Sequence, residues 1–306
     1  MLAMLILPIG LGWLASARSK SQKAWANVEA IEKAGGVSNA FDRGANPWWQ
    51  RTLGIDLPRD IEEFAFTVPI GNEQIQVEVL TRLRAFPRLK TLRITDPLRT
   101  FNALSPLEHF SELEELDLDG AQGGRKDGKA MDGLPVIAKL PQLKRFRSSN
   151  GEEFESANAF LTMTSLEELI YDVRQFDLDL SRLKHLRKLC LRGRITHLIL
   201  APHGKIRSRK AFANCERAIL QISKLPDLEF LEIVRGDCSD EGLKPLTQLK
   251  KLKCVSLESD LITDAGLATL VEMASLETLE VKSIKVTQEA IDQWKAKRPD
   301  LTITKK

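Results

Sequence analysis

The chain is poor in aromatic side chains, which make up 6% of its 306 residues and include a single tyrosine. It lacks an excess of either charge, with 45 Lys and Arg against 42 Asp and Glu. That balance argues against a polybasic nucleic-acid binder and against an acidic disordered chain, so nucleic acid is not an expected partner. Four cysteines are present, Cys190, Cys215, Cys238 and Cys254. No two of them form CxxC, and no histidine pair has metal-ligand spacing, which excludes the usual zinc motifs. Four scattered cysteines are too sparse for a disulfide framework, so free thiols in or beside a core are expected. No Ser-His-Asp or Cys-His set is readable. The expectation is a non-enzymatic chain with no catalytic residue, no cofactor and no metal. Long apolar runs are also missing, with one exception.

That exception is residues 1–17, MLAMLILPIGLGWLASA, which carry no charge and are followed by Arg18, Lys20 and Lys23. Three readings compete for it. A retained membrane anchor fits, because about 20 apolar residues cross a bilayer and slightly shorter runs are tolerated. A cleaved secretory signal fits the A-x-A shape of Ala15-Ser16-Ala17, although no basic residue precedes the apolar run. A buried soluble helix fits poorly, because Pro8, Gly10 and Gly12 suit a membrane helix better. The anchor is the preferred reading, as a single N-terminal pass, with secretion after cleavage as its alternative. The basic flank favours a body on the cytoplasmic side. Residues 21–34 then read as a helix ended by Gly35-Gly36. Residues 37–58, with Trp48 and Trp49, read as a cap over the first open edge of the remaining chain; a membrane-interface or ligand platform is the other use of paired tryptophans.

What the chain has in abundance is leucine, 46 residues of it. Such an excess with so few rings suggests a core built from one repeated side chain. The C-terminal third shows the repeat. Leu225, Leu249 and Met273 are followed three positions on by Leu228, Leu252 and Leu276. Further columns fall at Leu231, Val255 and Leu279, then Ile233, Leu257 and Val281, then Cys238, Ile262 and Val286, then Leu243, Leu267 and Ile291. The step is 24 residues each time. Upstream, Phe86-Leu89-Leu92-Ile94, Phe110-Leu113-Leu116-Leu118, Met163-Leu166-Leu169-Tyr171 and Leu183-Leu186-Leu189-Leu191 keep the frame. Leu140-Leu143-Phe146 keeps it until Ser148, and Ile61-Phe64-Phe66 reads as the first unit. The stretch from Leu191 to Ile233 is too long for one unit. It leaves room for a degenerate repeat at Ile195-Leu198-Leu200 and a helix near 211–223.

Alternation within LxLx gives a short strand with one apolar face. Ser239-Asp240, Thr263-Asp264 and Thr287-Gln288 look like helix starts, with a hydroxyl at the N-cap. Arg298-Pro299-Asp300-Leu301 should lead to a last edge strand or cap. No unit buries its leucines alone, whereas stacked neighbours do. The predicted fold is an α/β leucine-rich-repeat solenoid, a horseshoe of about nine or ten units with a parallel sheet on its concave face and helices on its convex face.

The stretch ITDAGLATLVEMASLETLEV, Ile262 to Val281, resembles bacterial leucine-rich-repeat proteins of the TDAGL type, similar to ribonuclease-inhibitor and F-box-associated repeats. The N-terminal layout, with its hydrophobic segment, Glu32-Lys33-Ala34-Gly35-Gly36 and Trp48-Trp49-Gln50-Arg51-Thr52-Leu53-Gly54, is similar to a group of such proteins. The resemblance implies a fold and no particular activity. The expected division is 1–17 as anchor or signal, 18–58 as membrane-proximal helix and cap, and 59–306 as repeats.

Three surface features invite a function. Gly123 to Lys129 satisfies GxxxxGK, but Ala130 stands where a magnesium-binding hydroxyl is needed, so a solvated loop is the reading preferred over a phosphate cradle. Lys205, Arg207, Arg209 and Lys210 form a basic run that suits a solvated helix approach better than a phosphate contact. The third is the solvent face of the strands, where basic and acidic strands alternate. Opposite charges on neighbouring strands stabilise a sheet, and they also present a recognition face. The candidate partner-binding residues are Arg93, Glu115, Asp117, Asp119, Arg145, Arg147, Phe230, Glu232 and Val234; Phe230 and Val234 are apolar where solvent is expected. The expected function is protein recognition through the concave sheet at a membrane, by a chain whose protein partner is unidentified. The alternative is a soluble intracellular scaffold or substrate adaptor of F-box-like type.

Overall fold

The computed structural model describes residues 2–33, 36–37, 62–68, 72–86, 88–97, 101–119, 133–148, 157–173, 180–193, 209–236 and 238–306. The repeats form one sheet of eleven strands in chain order: β1 (Gly36–Val37), β2 (Glu63–Thr67), β3 (Thr91–Thr95), β4 (Glu115–Asp119), β5 (Arg145–Ser148), β6 (Glu168–Val173), β7 (Lys188–Gly193), β8 (Phe230–Val234), β9 (Cys254–Glu258), β10 (Thr278–Lys282) and β11 (Thr302–Lys305). From β2 to β11 every neighbouring pair is parallel, and β1 pairs antiparallel with β2 across that edge. The chain is a leucine-rich-repeat solenoid.

Register explains why the columns persist. Leu92 faces Leu116, Leu116 faces Phe146, and Phe146 faces Leu169, so each inward side chain stacks on the same column of the next unit. These residues are buried almost completely. Burying a leucine stabilises by about 1.5–3 kcal/mol, and only stacking removes both of its flanks from water. Ser148 takes the inward place on β5 and is buried too.

The helices are α1 (Leu2–Lys33), α2 (Glu73–Leu83), α3 (Arg209–Ile222), α4 (Asp264–Val271) and α5 (Gln288–Lys297), with shorter helical turns at the other units. The helix expected over 21–34 is the end of the single 32-residue helix α1. Its Val28 and Ile31 are buried in the common core, and Trp25 packs against it. Among the described residues, no helix is long and apolar enough to cross a membrane. The side chains of residues 2–13 lie outside the described ones.

The TDAGL signature has a direct structural cause. Thr263 caps α4 by accepting from the Ala265 N–H. Its own N–H and hydroxyl donate to the Asp240 carboxylate of the preceding unit. One unit on, Asp264 receives the same two donations from Thr287, at 2.8 and 2.9 Å. Each aspartate therefore grips the next unit's capping threonine. Gly266 leaves the room for that grip, because a Cβ there would collide with Asp240 Oδ1. Two buried serines add a second tie, Ser259 donating to the Cys238 carbonyl and Ser283 to the Ile262 carbonyl.

Strand β7 pairs directly with β8, and the degenerate repeat expected at Ile195-Leu198-Leu200 lies outside the described residues. One expectation needs correction. Cys215 and Cys238 are joined in a disulfide instead of being free. They are 23 residues apart, about one repeat step, and a solenoid brings such positions together, with the two Cα atoms 5.6 Å apart. Cys190 and Cys254 are free thiols, as expected. The cap reading of 37–58 and the tryptophan pair fall outside the described residues, save for Val37 in β1.

Candidate functional site

In-register parallel pairing turns the outward strand positions into three rows across the sheet. The middle row runs Arg93, Asp117, Arg147, Ile170, Cys190 and Glu232 from β3 to β8. The row nearer the strand starts carries Glu63, Thr91, Glu115, Arg145, Glu168, Lys188 and Phe230. The third row carries Asp119, Asp172, Arg192 and Val234 on β4, β6, β7 and β8. All nine candidate residues thus stand on one face.

Much of their charge is engaged within the chain. Arg93 pairs with Glu63 at 2.9 Å and with Glu115 at 3.6 Å. Glu115 accepts from Arg145 at 2.7 Å, and this hydrogen bond holds the Arg145 guanidinium pKa above its ordinary value. Farther along, Arg192 meets Glu232 at 3.5 Å, Lys282 meets Glu258 at 3.0 Å, and Lys306 meets Glu280 at 2.6 Å. The Lys306 hydrogen bond, aided by Ser256, pulls the Glu280 carboxyl below its ordinary value. Exposed pairs of this kind contribute about 0–1 kcal/mol each. Such pairs thus add modestly to the cohesion of neighbouring strands.

A second alternation lies beside the expected one. The residues immediately before the strands run Glu62, Lys90, Glu114, Lys144, Glu167, Arg187, Glu229, Lys253 and Glu277. Lys90 meets Glu62 at 3.1 Å, Lys144 meets Glu114 at 3.0 Å, and Arg187 meets Glu229 at 2.7 Å. Each of these residues also offers its carbonyl to N–H groups of the next unit, as Lys90 does to Glu114 and Glu115. The signal is readable in the repeat frame, one position beyond the second leucine column.

Two pairs between β4 and β7 are longer. Arg147 Nε stands 3.8 Å from Asp117 Oδ1, beyond hydrogen-bond distance, and neither atom makes a hydrogen bond. Asp117 is half-buried, and burial pushes its carboxyl pKa up despite the Arg147 charge. Lys188 Nζ stands 3.8 Å from Glu168 and 5.7 Å from the centre of the Phe230 ring, a cation–π distance. Between these cations lies Ile170, half-buried, with the buried Cys190 beside it. Phe230 and Val234 flank Glu232 on β8 and are half-buried. Cys190 is no nucleophile: burial first, and Glu232 second, push its thiol up to about 12. The large apolar side chains most exposed among the described residues, Leu220 and Ile284, belong to α3 and to the turn after β10. Single exposed apolar residues are ordinary on a surface. The GxxxxGK loop and the side chains of the basic run at 205–210 lie outside the described residues.

No protein-family model matches the sequence, and no curated protein matches it. Solved structures are similar to it at low identity. An internalin (inlF) from Listeria monocytogenes is 14% identical with a TM-score of 0.42, over 80% of this chain and 86% of that one. The leucine-rich-repeat protein LIC12759 from Leptospira interrogans is 15% identical with a TM-score of 0.44, over 78% of this chain and 63% of that one. A TLR13–ssRNA13 complex gives 17% and 0.49, over 78% of this chain and 32% of that one.

Proposed function

We propose that the chain is a non-catalytic recognition module that binds a protein through the outer face of its sheet. The carrying observation is the window from β5 to β8, where Arg147 and Lys188 stand 3.8 Å from their carboxylates and Ile170, Phe230 and Val234 replace charges. Binding energy concentrates where an apolar anchor sits inside a polar rim. A buried thiol pushed up to about 12 is the wrong chemistry for covalent catalysis at that window.

The anchor is part of this proposal and rests on the uncharged run 1–17. The Cys215–Cys238 disulfide supports a body held in an oxidising compartment. It therefore favours an outward-facing or secreted body over the cytoplasmic side suggested by the basic flank, and it weighs against the intracellular adaptor.

The test exchanges the charges of one rung, Arg147→Glu with Asp117→Arg, and separately places a charge in the window, Phe230→Glu. Partner capture by the full chain falls in both variants while the melting temperature stays. A fall in melting with capture intact means that the charges serve the sheet and not recognition.

A further inference from the structure

Accepting the recognition face, its loosely paired cations specify the chemistry of what binds there. We infer that the window takes an acidic extended segment in which two carboxylates flank one apolar side chain, the carboxylates meeting Arg147 and Lys188 and the apolar group lying on Ile170.

The cations of the sheet face differ in how fully they are engaged. Arg93, Arg145, Lys282 and Lys306 hold carboxylates at 3.0 Å or less. Arg147 and Lys188 hold theirs at 3.8 Å, too far for a hydrogen bond. Arg147 Nε is buried and makes none, while 43% of the Arg147 side chain stays exposed to a partner. A guanidinium presents a planar fork suited to a carboxylate, and an ammonium presents three donors. A partner carboxylate supplies what Asp117 and Glu168 do not. The Asp117 carboxylate, already disfavoured by burial, is a weak competitor for Arg147.

Geometry sets the spacing. Arg147 and Lys188 are two strands apart and two residues offset along the strand direction. Two strand spacings are about 9.6 Å and two residues about 6.6 Å, which gives roughly 12 Å between their positions. Alternate residues of an extended segment face the same side, and four residues span about 13 Å. The pattern acid-x-apolar-x-acid places its apolar member near the midpoint, which falls on β6 between the outward Glu168 and Ile170, and the apolar group takes the Ile170 side. The Phe230 ring under Lys188 extends the apolar floor beyond the second carboxylate.

The test immobilises blocked peptides with the cores Glu-Ser-Leu-Ser-Glu, Lys-Ser-Leu-Ser-Lys and Glu-Ser-Ser-Ser-Glu, beside a 20-nucleotide oligo(dT). The full chain is passed over each surface. The first peptide should retain the chain at least tenfold more than the other two peptides, and retention should fall with salt. Arg147→Gln and Lys188→Gln should each lower it about fivefold or more, with Lys295→Gln on α5 as the charge-matched control that leaves it unchanged. Equal retention of the three peptides, retention unaffected by the two substitutions, or preference for the oligonucleotide overturns the inference. A random peptide display on the same chain separates this failure from that of the wider reading. Non-acidic binders lost in Phe230→Glu leave the face a recognition surface with other chemistry. Binders insensitive to every substitution on the face remove both.

Discussion

Replacing Gly266 by alanine probes how one unit holds the next. In an isolated helix this change is favourable by about 0.5–1 kcal/mol, because glycine costs more backbone entropy. Here the added Cβ collides with Asp240 Oδ1, and it meets Asp240 Cγ at 2.9 Å and Asp240 Cα at 3.1 Å. The carboxylate has to leave, and it releases the Thr263 N–H and hydroxyl together. Two hydrogen bonds to a charged acceptor contribute about 1.5–3 kcal/mol each when fully formed and shielded. Partial exposure of Asp240 brings the expected loss to roughly 2–4 kcal/mol for the pair. Asp240→Ala alone costs a similar amount, since it removes the same bonds. In that background the Oδ1 and Cγ clashes are gone and only the Cα approach remains, so Gly266→Ala becomes close to neutral. Urea unfolding of the four chains gives the coupling directly. Additive costs, with the double variant about as damaged as the sum, would refute the idea that this glycine exists to seat the aspartate.

Asp117→Asn should raise the melting temperature at neutral pH. A carboxyl raised by burial disfavours the folded state once it ionises, so stability falls as pH rises from the unfolded pKa through the folded one. The gain from Asn should vanish in acid, where Asp117 is protonated in both states; a variant less stable than the parent at neutral pH contradicts this. Reducing the Cys215–Cys238 bond should destabilise the chain by about 3 kcal/mol, the chain-entropy value for a loop of this length, read as a lower urea midpoint with reductant. An unchanged midpoint contradicts the pairing. Arg298→Ala should loosen β11, because Arg298 donates to the carbonyls of Val271 at 2.6 Å and Met273 at 3.3 Å. Faster amide exchange confined to 301–306 is the expected signature, and exchange unchanged there would contradict it.

Much of the fold was legible because one side-chain type at a fixed step leaves a single way to bury it. The columns at Leu228, Leu231 and Ile233 mark where β8 begins and which side faces in. The same columns placed the outward candidates, since outward positions are what remains between inward ones. Local chemistry was legible too: Ser239, Thr263 and Thr287 each cap the next helical segment. Long-range pairing was harder. Cys215 lies in α3, in the irregular stretch before the regular 24-residue frame, so its spacing of about one repeat step from Cys238 did not stand out in the sequence. Outward placement also did not mean exposure. Cys190 and Asp172 face out of their strands yet are buried. Alternating charge on the face fitted both sheet stabilisation and recognition, and the distances grade it: Arg145 and Lys282 hold their carboxylates at 3.0 Å or less, whereas Arg147 and Lys188 stand 3.8 Å from theirs.

Whether partners meet the sheet face between β5 and β8 can be read by hydroxyl-radical footprinting of the full chain, with and without a captured protein. Binding at that face protects Ile170, Phe230 and Val234, with Leu220 and Ile284 oxidised as fast as in the free chain. Protection of Leu220 or Ile284 with the sheet face left reactive would contradict it.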